Sequence, residues 1–240
     1  VIVLQELWMR KDYELLRDGL AERYPHTVYF YSGCVGSGLA TLSRWPIVET
    51  QFLRYAVSGR ADSPHQGDWY AGKGAALTHL QHPELGRFLI FNTHLVANYH
   101  DHVGNVNEFD PYELQRIMQT VEYVRFIKQV ARGHPEALCL AMGDWNEEEG
   151  SLAWQLAVEG GGVIASDQRL ESVWSSLKIP PSDRLTFNHP RSVYWRPDKA
   201  PQQIDHILMH SHRSGRRLEV ISAGLAFDEP VTELGIRRRI

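Results

Sequence analysis

The apolar positions of this chain change period along its length. Val1-Ile2-Val3-Leu4 is a short β-branched run, and behind Asp12, a residue suited to capping a helix, Leu15, Leu16, Leu20 and Ala21 recur at helical spacing. Strand then helix is the expected opening. Strands are predicted over Val28 to Tyr31, Gly38 to Ser43 and Ile47 to Arg54, separated by glycines and Pro46, while Ala56 to Gly67 is rich in Gly, Ser, Pro and Asp and reads as a loop. Ala75 to Leu80 alternates loosely and runs through Pro83, Glu84 and Gly86 into Phe88-Leu89-Ile90-Phe91-Asn92-Thr93-His94, the pattern of a hairpin. A polar loop with Asn98, Asn105, Asn107 and Pro111 leads into the longest helical pattern. There, from Tyr112 to Arg132, Leu114, Ile117, Met118, Val121, Val124, Ile127 and Val130 form one stripe, stopped by Gly133 and Pro135. A buried strand over Ala137 to Met142 feeds Gly143-Asp144-Trp145-Asn146, and Ser151 is placed to cap a helix closing at Gly160-Gly161-Gly162. Ser166 to Pro201 is polar and proline-rich. Ile204 to Met209 and Leu218 to Phe227 supply two last strands, and no internal repeat or low-complexity linker interrupts the series.

Composition narrows the class. At 240 residues, 43% of them hydrophobic, the chain has the size and core content of one large α/β domain spanning residues 1–240. A net charge of −4 lacks the basic excess of a protein that lives on nucleic-acid phosphates, so no nucleic-acid partner is expected. Two cysteines give no disulfide framework, and Cys139, inside an apolar run, reads as a small buried hydrophobe. No apolar stretch approaches the roughly 18 residues of a membrane span, so the chain is expected to be soluble as given. It begins with Val in a strand-like run, as if cut from a longer protein that carries its location signals.

Gly67-Asp68-Trp69-Tyr70-Ala71-Gly72-Lys73-Gly74 matches a nucleotide P-loop, G-x-x-x-x-G-K-[ST], at every fixed position but the last. Gly74 removes the hydroxyl that would ligate magnesium, and a hairpin follows where a P-loop hands its phosphates to a helix N-terminus. The nucleotide reading is rejected. A lysine held between glycines beside an acid and two aromatics still points to contact with a phosphate.

Three strand runs end in a polar residue of useful chemistry: Val1 to Gln5 in Glu6, Phe88 to Thr93 in His94, and Leu138 to Gly143 in Asp144. Gln203-Ile204-Asp205 is a milder case. Strand ends hand side chains to the clefts of α/β sheets, so these residues are expected on one rim. Carboxylates there would suit Mg²⁺, and His and Asn would donate hydrogen bonds to phosphoryl oxygens. The bland alternatives are a solvated Glu6, an ordinary Asp144-Trp145-Asn146 turn and a satisfied, partly buried His94. The spacings of His206, His210 and His212 and of His100 and His102 could suit zinc, but no cysteine set supports them and zinc is set aside.

In sequence and order, Leu4-Gln5-Glu6, Gly36-Ser37-Gly38-Leu39-Ala40, Ser43-Arg44-Trp45-Pro46-Ile47, the Gly67 to Gly74 element, Asn92-Thr93-His94-Leu95, Gly143-Asp144-Trp145-Asn146 and Ile204-Asp205-His206-Ile207 resemble the neutral sphingomyelinases and inositol-phosphosphingolipid phospholipases C. Those enzymes belong to the endonuclease/exonuclease/phosphatase superfamily, and the resemblance covers nearly the whole chain. It implies a DNase I-like four-layered α/β sandwich of two mixed, mostly antiparallel sheets faced by helices. It also implies Mg²⁺-dependent phospholipase C-type cleavage of a sphingolipid headgroup at a membrane surface, leaving ceramide. Glu6 would hold the Mg²⁺ and His94 would donate to the scissile phosphate. Asp144 and Asn146 would orient the attacking water and the phosphate, with Asp205 in support. Asp68 and Lys73 would be the pair of a P-loop-like switch, so that Lys73→Ala lowers turnover with the fold intact.

The chain departs from that pattern in three places. A first-strand Asn before Leu4-Gln5-Glu6 is absent, and Val96 stands where many relatives have a second His. The family's closing Ser-Asp-His, whose His is the general base, has no counterpart where Val231-Thr232-Glu233-Leu234-Gly235 runs into Ile236-Arg237-Arg238-Arg239-Ile240. The expectation is therefore a catalytic domain incomplete at both ends and of low activity by itself. Its expected place is inside the cell, peripheral to a membrane or tethered through segments outside this chain. The rival readings are another phosphoesterase of the superfamily, a nuclease or an inositol-phosphate phosphatase, and an inactive lipid-binding remnant.

Overall fold

The computed structural model describes residues 1–99, 110–159, 170–192, 194–210 and 218–226. His100, His102, Asn105, Asn107, Gly160 to Gly162, His212, Phe227 and Val231 to Ile240 lie outside the described residues.

Two sheets face each other. The smaller is wholly antiparallel in the order β1 (Ile2–Leu4), β3 (Leu39–Ser43), β2 (His26–Phe30). The larger runs β4 (Ile47–Arg54), β5 (Gly74–His82), β6 (Gly86–His94), β7 (Leu138–Asp144), β9 (Asp205–His210), β8 (Leu170–Ser172). Its pairs are antiparallel except β6 with β7, whose parallel register requires a crossover, supplied by the helix α2 (Glu113–Gly133).

Strand alternation sorts the layers. Phe30, Leu39 and Ala76 meet between the sheets with Val28 and Phe52, whereas Thr27 and Tyr29 turn outward to Tyr13 of α1 (Arg10–Gly19). On the other side Leu77, Leu89, Phe91 and Ala141 pack against Tyr123, Val124 and Ile127 of α2. The order is helix, sheet, sheet, helix, the expected four-layered sandwich.

Several elements differ from the pattern-based expectation. The first helix starts at Arg10 with Met9 as its uncapped boundary, which puts Asp12 in the first turn, and Leu15 is exposed. In α2, Leu114 and Met118 face solvent, and the buried face of the first half is instead Arg116, Gln119, Thr120 and Tyr123. Arg116 and Gln119 are buried because they hold loops around the cleft, Gln119 through Val57 O and Val96 N and Arg116 through Asp110 and Glu147. Ser151 does cap its helix, accepting from Trp154 N, but α3 (Leu152–Trp154) passes at once into a π-helical turn at Gln155–Glu159. The strand expected at Leu218 to Phe227 is not formed over residues 218–226, and β8 and the short α4 (Val173–Leu177) occur in the polar, proline-rich segment for which no element is expected. Three residues are too few to show a period. Among the described residues no helix is long and apolar enough to cross a membrane.

Candidate active site

Register brings the strand-end residues together. His94 of β6 pairs with Asp144 of β7, and Asp144 pairs with Asp205 of β9, so the three form one rung across adjacent strands. Partners in register point to the same face, here the one turned toward the smaller sheet. Gly143 makes this close approach possible. Its φ of 149° and the 2.0 Å that would separate a Cβ from Thr93 O admit only glycine.

Opposite the rung, β1 ends at Leu4 and the chain turns at Glu6 with φ 55°, a left-handed conformation held by Leu7 N donating to Gly38 O (2.9 Å). Glu6, His94, Asn146, Asp68 and Lys73 line one cleft of about 680 Å³, whose outer wall includes Trp8, Tyr31 and Tyr99. The five residues expected at strand ends and in the turn after β7, together with Asp68 and Lys73, thus share one end of the sandwich.

The Gly67 to Gly74 element forms the cleft wall and enters β5, as the hairpin reading expects. Gly72 lies against the backbone of Ser32 and Gly33, where a Cβ would come within 2.1 Å of Ser32 C. Lys73 is buried; its Nζ lies 3.1 Å from Asp68 Oδ1 and donates to Leu95 O at 2.6 Å. Asp68 Oδ2 accepts from Ala97 N (2.9 Å), Gln119 Oε1 accepts from Val96 N (2.9 Å), and Asn146 Nδ2 donates to Leu95 O (3.1 Å). The segment leaving His94 is therefore fastened from three directions. Behind Asn146, Arg116 joins Glu147 (2.5 Å) and Asp110. Sequence reading missed Gln119 and Arg116, since a polar residue on a helix reads as solvent-facing.

Burial and crowding set the charges. Asp144 is pushed up to about 7, first by burial and then by the neighbouring Asp205, with Glu6 adding to the effect. Asp205 is also raised, mainly by burial, although Thr186 Oγ1 bonds its carboxylate and accepts from its backbone N–H. His94, with Nε2 3.7 Å from Asp144 Oδ2 and its ring 6.0 Å from that of Trp8, is held well below the usual imidazole range by burial and by the Lys73 charge. It is neutral at pH 7. Lys73 is itself lowered by burial, against the pull of Asp68 and Asp144. The Cys139 thiol is pushed up by burial and is inert, as expected of a core cysteine.

His206 alternates away from Asp205 into the core, 4.5 Å from the Trp154 ring. Its Nε2 donates to Glu147 O (2.8 Å), and Nδ1 accepts from Gln203 Nε2 (3.2 Å), which fixes the neutral tautomer. Protonation would set Nδ1–H against an amide N–H, and burial lowers the group from 6.5 to about 4. A depressed histidine contributes stability that is complete above its unfolded value and is lost as pH falls from there through the folded value. That window, pH 6.5 to about 4, is worth about 3 kcal/mol. Chemical denaturation of wild type and His206→Gln at pH 7 and pH 4.5 should show a smaller acid loss in the variant; equal losses would remove His206 from the acid response.

Among the described residues no three His, Cys, Asp or Glu side chains stand close enough to enclose a metal by themselves. That arrangement still fits Mg²⁺, which takes one or two carboxylates and keeps several waters. The crowding that raises Asp144 is the kind of charge imbalance a divalent cation relieves.

A two-sheet sandwich of this order, with a histidine and acids gathered at one end of the cleft, defines a DNase I-like domain. The chain belongs to the Endonuclease/Exonuclease/phosphatase family, which it matches over residues 1–226. It is 32% identical over 189 residues to the inositol phosphosphingolipids phospholipase C of Schizosaccharomyces pombe, covering 78% of this chain and 42% of that protein. To sphingomyelin phosphodiesterase 2 of Homo sapiens it is 32% identical over 158 residues, or 60% of this chain and 35% of the relative. The chain thus spans less than half the length of these curated relatives. Its fold is similar to that of sphingomyelinase C from Streptomyces griseocarneus, with a TM-score of 0.64 at 18% identity, covering 91% of this chain and 72% of the other. It is also similar to truncated TDP2 of Caenorhabditis elegans, with a TM-score of 0.60 at 16% identity, covering 86% of this chain and 68% of the other.

Proposed function

We propose that the chain forms the catalytic cleft of a Mg²⁺-dependent sphingolipid phospholipase C, which hydrolyses the headgroup phosphodiester and leaves ceramide. The carrying observation is the rung His94, Asp144, Asp205 facing Glu6 across a cleft walled by the buried Lys73–Asp68 pair. The names of the relatives direct that chemistry to sphingolipids. Glu6 would hold the Mg²⁺, its exposed carboxylate facing the cleft. Bound there, Mg²⁺ supplies a Lewis acid that offsets charge developing on the phosphoryl group and lowers the pKa of water. Neutral His94 donates an N–H to a non-bridging oxygen. Asp144 accepts from the attacking water and is kept in place by Asn146 N (2.8 Å to Oδ1), while Asp205 maintains the field around it. Asn146 acts mainly through its grip on Leu95, and Asp68 and Lys73 hold the same segment, the part of the site a switch of this pair would move. Tyr31 (70% exposed), Trp69 (50%) and Tyr70 (46%) give the cleft end an amphipathic aromatic rim suited to a lipid interface.

The test is headgroup release by the full-length protein from vesicles of sphingomyelin and of inositol phosphosphingolipid, with supercoiled DNA as a parallel substrate. Release from at least one lipid, abolished by chelation and restored by Mg²⁺, with the DNA left intact, is the expected result. DNA nicking without lipid turnover would replace this reading with the nuclease one.

A further inference from the structure

We infer that Gln5 and Asn92 are positioning residues that set the Glu6 carboxylate against the acids of the larger sheet. The inference rests on Glu6 as the metal-holding carboxylate. Glu6 leaves the smaller sheet, whereas His94, Asp144 and Asp205 belong to the larger one, so their spacing depends on how the two sheets are fastened at this end. Asn92 is 1% exposed and lies on the cleft-facing side of β6, two residues before His94. It reaches across the sandwich and uses both ends of its amide. Nδ2 donates to Leu4 O at 3.0 Å and lies 3.5 Å from Ala40 O, and Oδ1 accepts from Gln5 Nε2 at 2.6 Å. One side chain thus grips both residues that immediately precede Glu6.

The grip matters because Glu6 is held at φ 55°, a conformation an L-residue keeps only when its surroundings impose it. Without the tie, only the Leu7 N to Gly38 O bond still holds that conformation, and the Glu6 carboxylate loses its fixed place opposite the rung. Packing alone does not replace the tie, since an apolar side chain offers neither donor nor acceptor to Leu4 O and Gln5. A second bond between the sheets, Thr78 Oγ1 to Thr41 Oγ1 at 3.2 Å, supplies a control remote from Glu6.

The experiment is calorimetric titration of the full-length protein with Mn²⁺ as the probe, with melting temperature measured alongside. Glu6→Gln should abolish strong binding. Gln5→Met and Asn92→Leu should each weaken it by about tenfold, in the range of outer residues that orient a ligand. The double variant should be no weaker than the weaker single variant, because both break one contact. Thr78→Val should bind as wild type. Should Asn92→Leu fail to fold, Gln5→Met decides, as its side chain is only half-buried. If Glu6→Gln loses Mn²⁺ while Gln5→Met binds within twofold of wild type, the positioning role is wrong and the metal reading stands. The positioning role is equally wrong if Thr78→Val weakens binding as much as Gln5→Met. Unchanged binding by Glu6→Gln would remove both.

Discussion

Asp144→Asn is expected to lower turnover by about 10²–10⁴-fold, the usual worth of a positioned proton acceptor, while making the protein more resistant to heat. Asp144 stands in the middle of the rung, with His94 on one side and Asp205 on the other. Asn keeps the shape and an oxygen that accepts the Asn146 N–H, so the turn and β7 should be retained. The negative charge is what disappears. The carboxyl is raised to about 7 in the fold, so its contribution to stability is fully present below the unfolded value near 3.8 and is lost as pH rises through 7. Asn escapes that loss, and its stability advantage over wild type should widen from pH 4 to pH 8 in denaturant titrations without added metal. Turnover within threefold of wild type would exclude Asp144 from the chemistry.

Replacing Lys73 by Met should remove about 3–5 kcal/mol of stability, the cost of leaving a buried charge without its partner. Because Lys73 is buried, the expected cost goes beyond the lower turnover that the sequence reading attaches to Lys73→Ala. Lys73 is fully enclosed, and its loss strands Asp68 and frees Leu95 O from one of its two side-chain donors. For a chain of this length the change corresponds to a melting temperature lower by roughly 10 °C. Adding Asp68→Asn removes the stranded charge, keeps an acceptor for Ala97 N and should return much of the stability, though turnover stays low because the segment after His94 has lost its anchor. Two additive losses in the pair would show that the residues do not act together.

The polar endings of apolar runs were legible. Phe88 to His94 and Leu138 to Asp144 could be placed because an uninterrupted hydrophobic run must be buried, so the residue at its end must lie at the edge of a sheet. The hairpin from Gly74 followed from the turn residues Pro83, Glu84 and Gly86. Which strands would be neighbours was not legible from periodicity, and the rung depends on register. Asn92 carried a signal, a polar residue within a buried run, but nothing local shows that its partners are Leu4 and Gln5, 88 and 87 residues away. Gln119 and Arg116 carried none, because helical periodicity assigns their face to solvent. Their reason for burial lies in loops that helical spacing does not register.

The rim is also where the chain is least comfortable. Glu6 and Asn146 adopt left-handed backbone conformations at φ 55° and 49°, and Asp144 is ionised only against its surroundings. Selection for stability alone would favour glycine at residues 6 and 146 and an amide at 144, because each change relieves strain or repulsion. The product would be a sturdier sandwich with an inert groove. Persistence of these three residues in a lineage is therefore a record of selection for chemistry, and a stabilised design that starts from this scaffold should leave residues 6, 144 and 146 untouched.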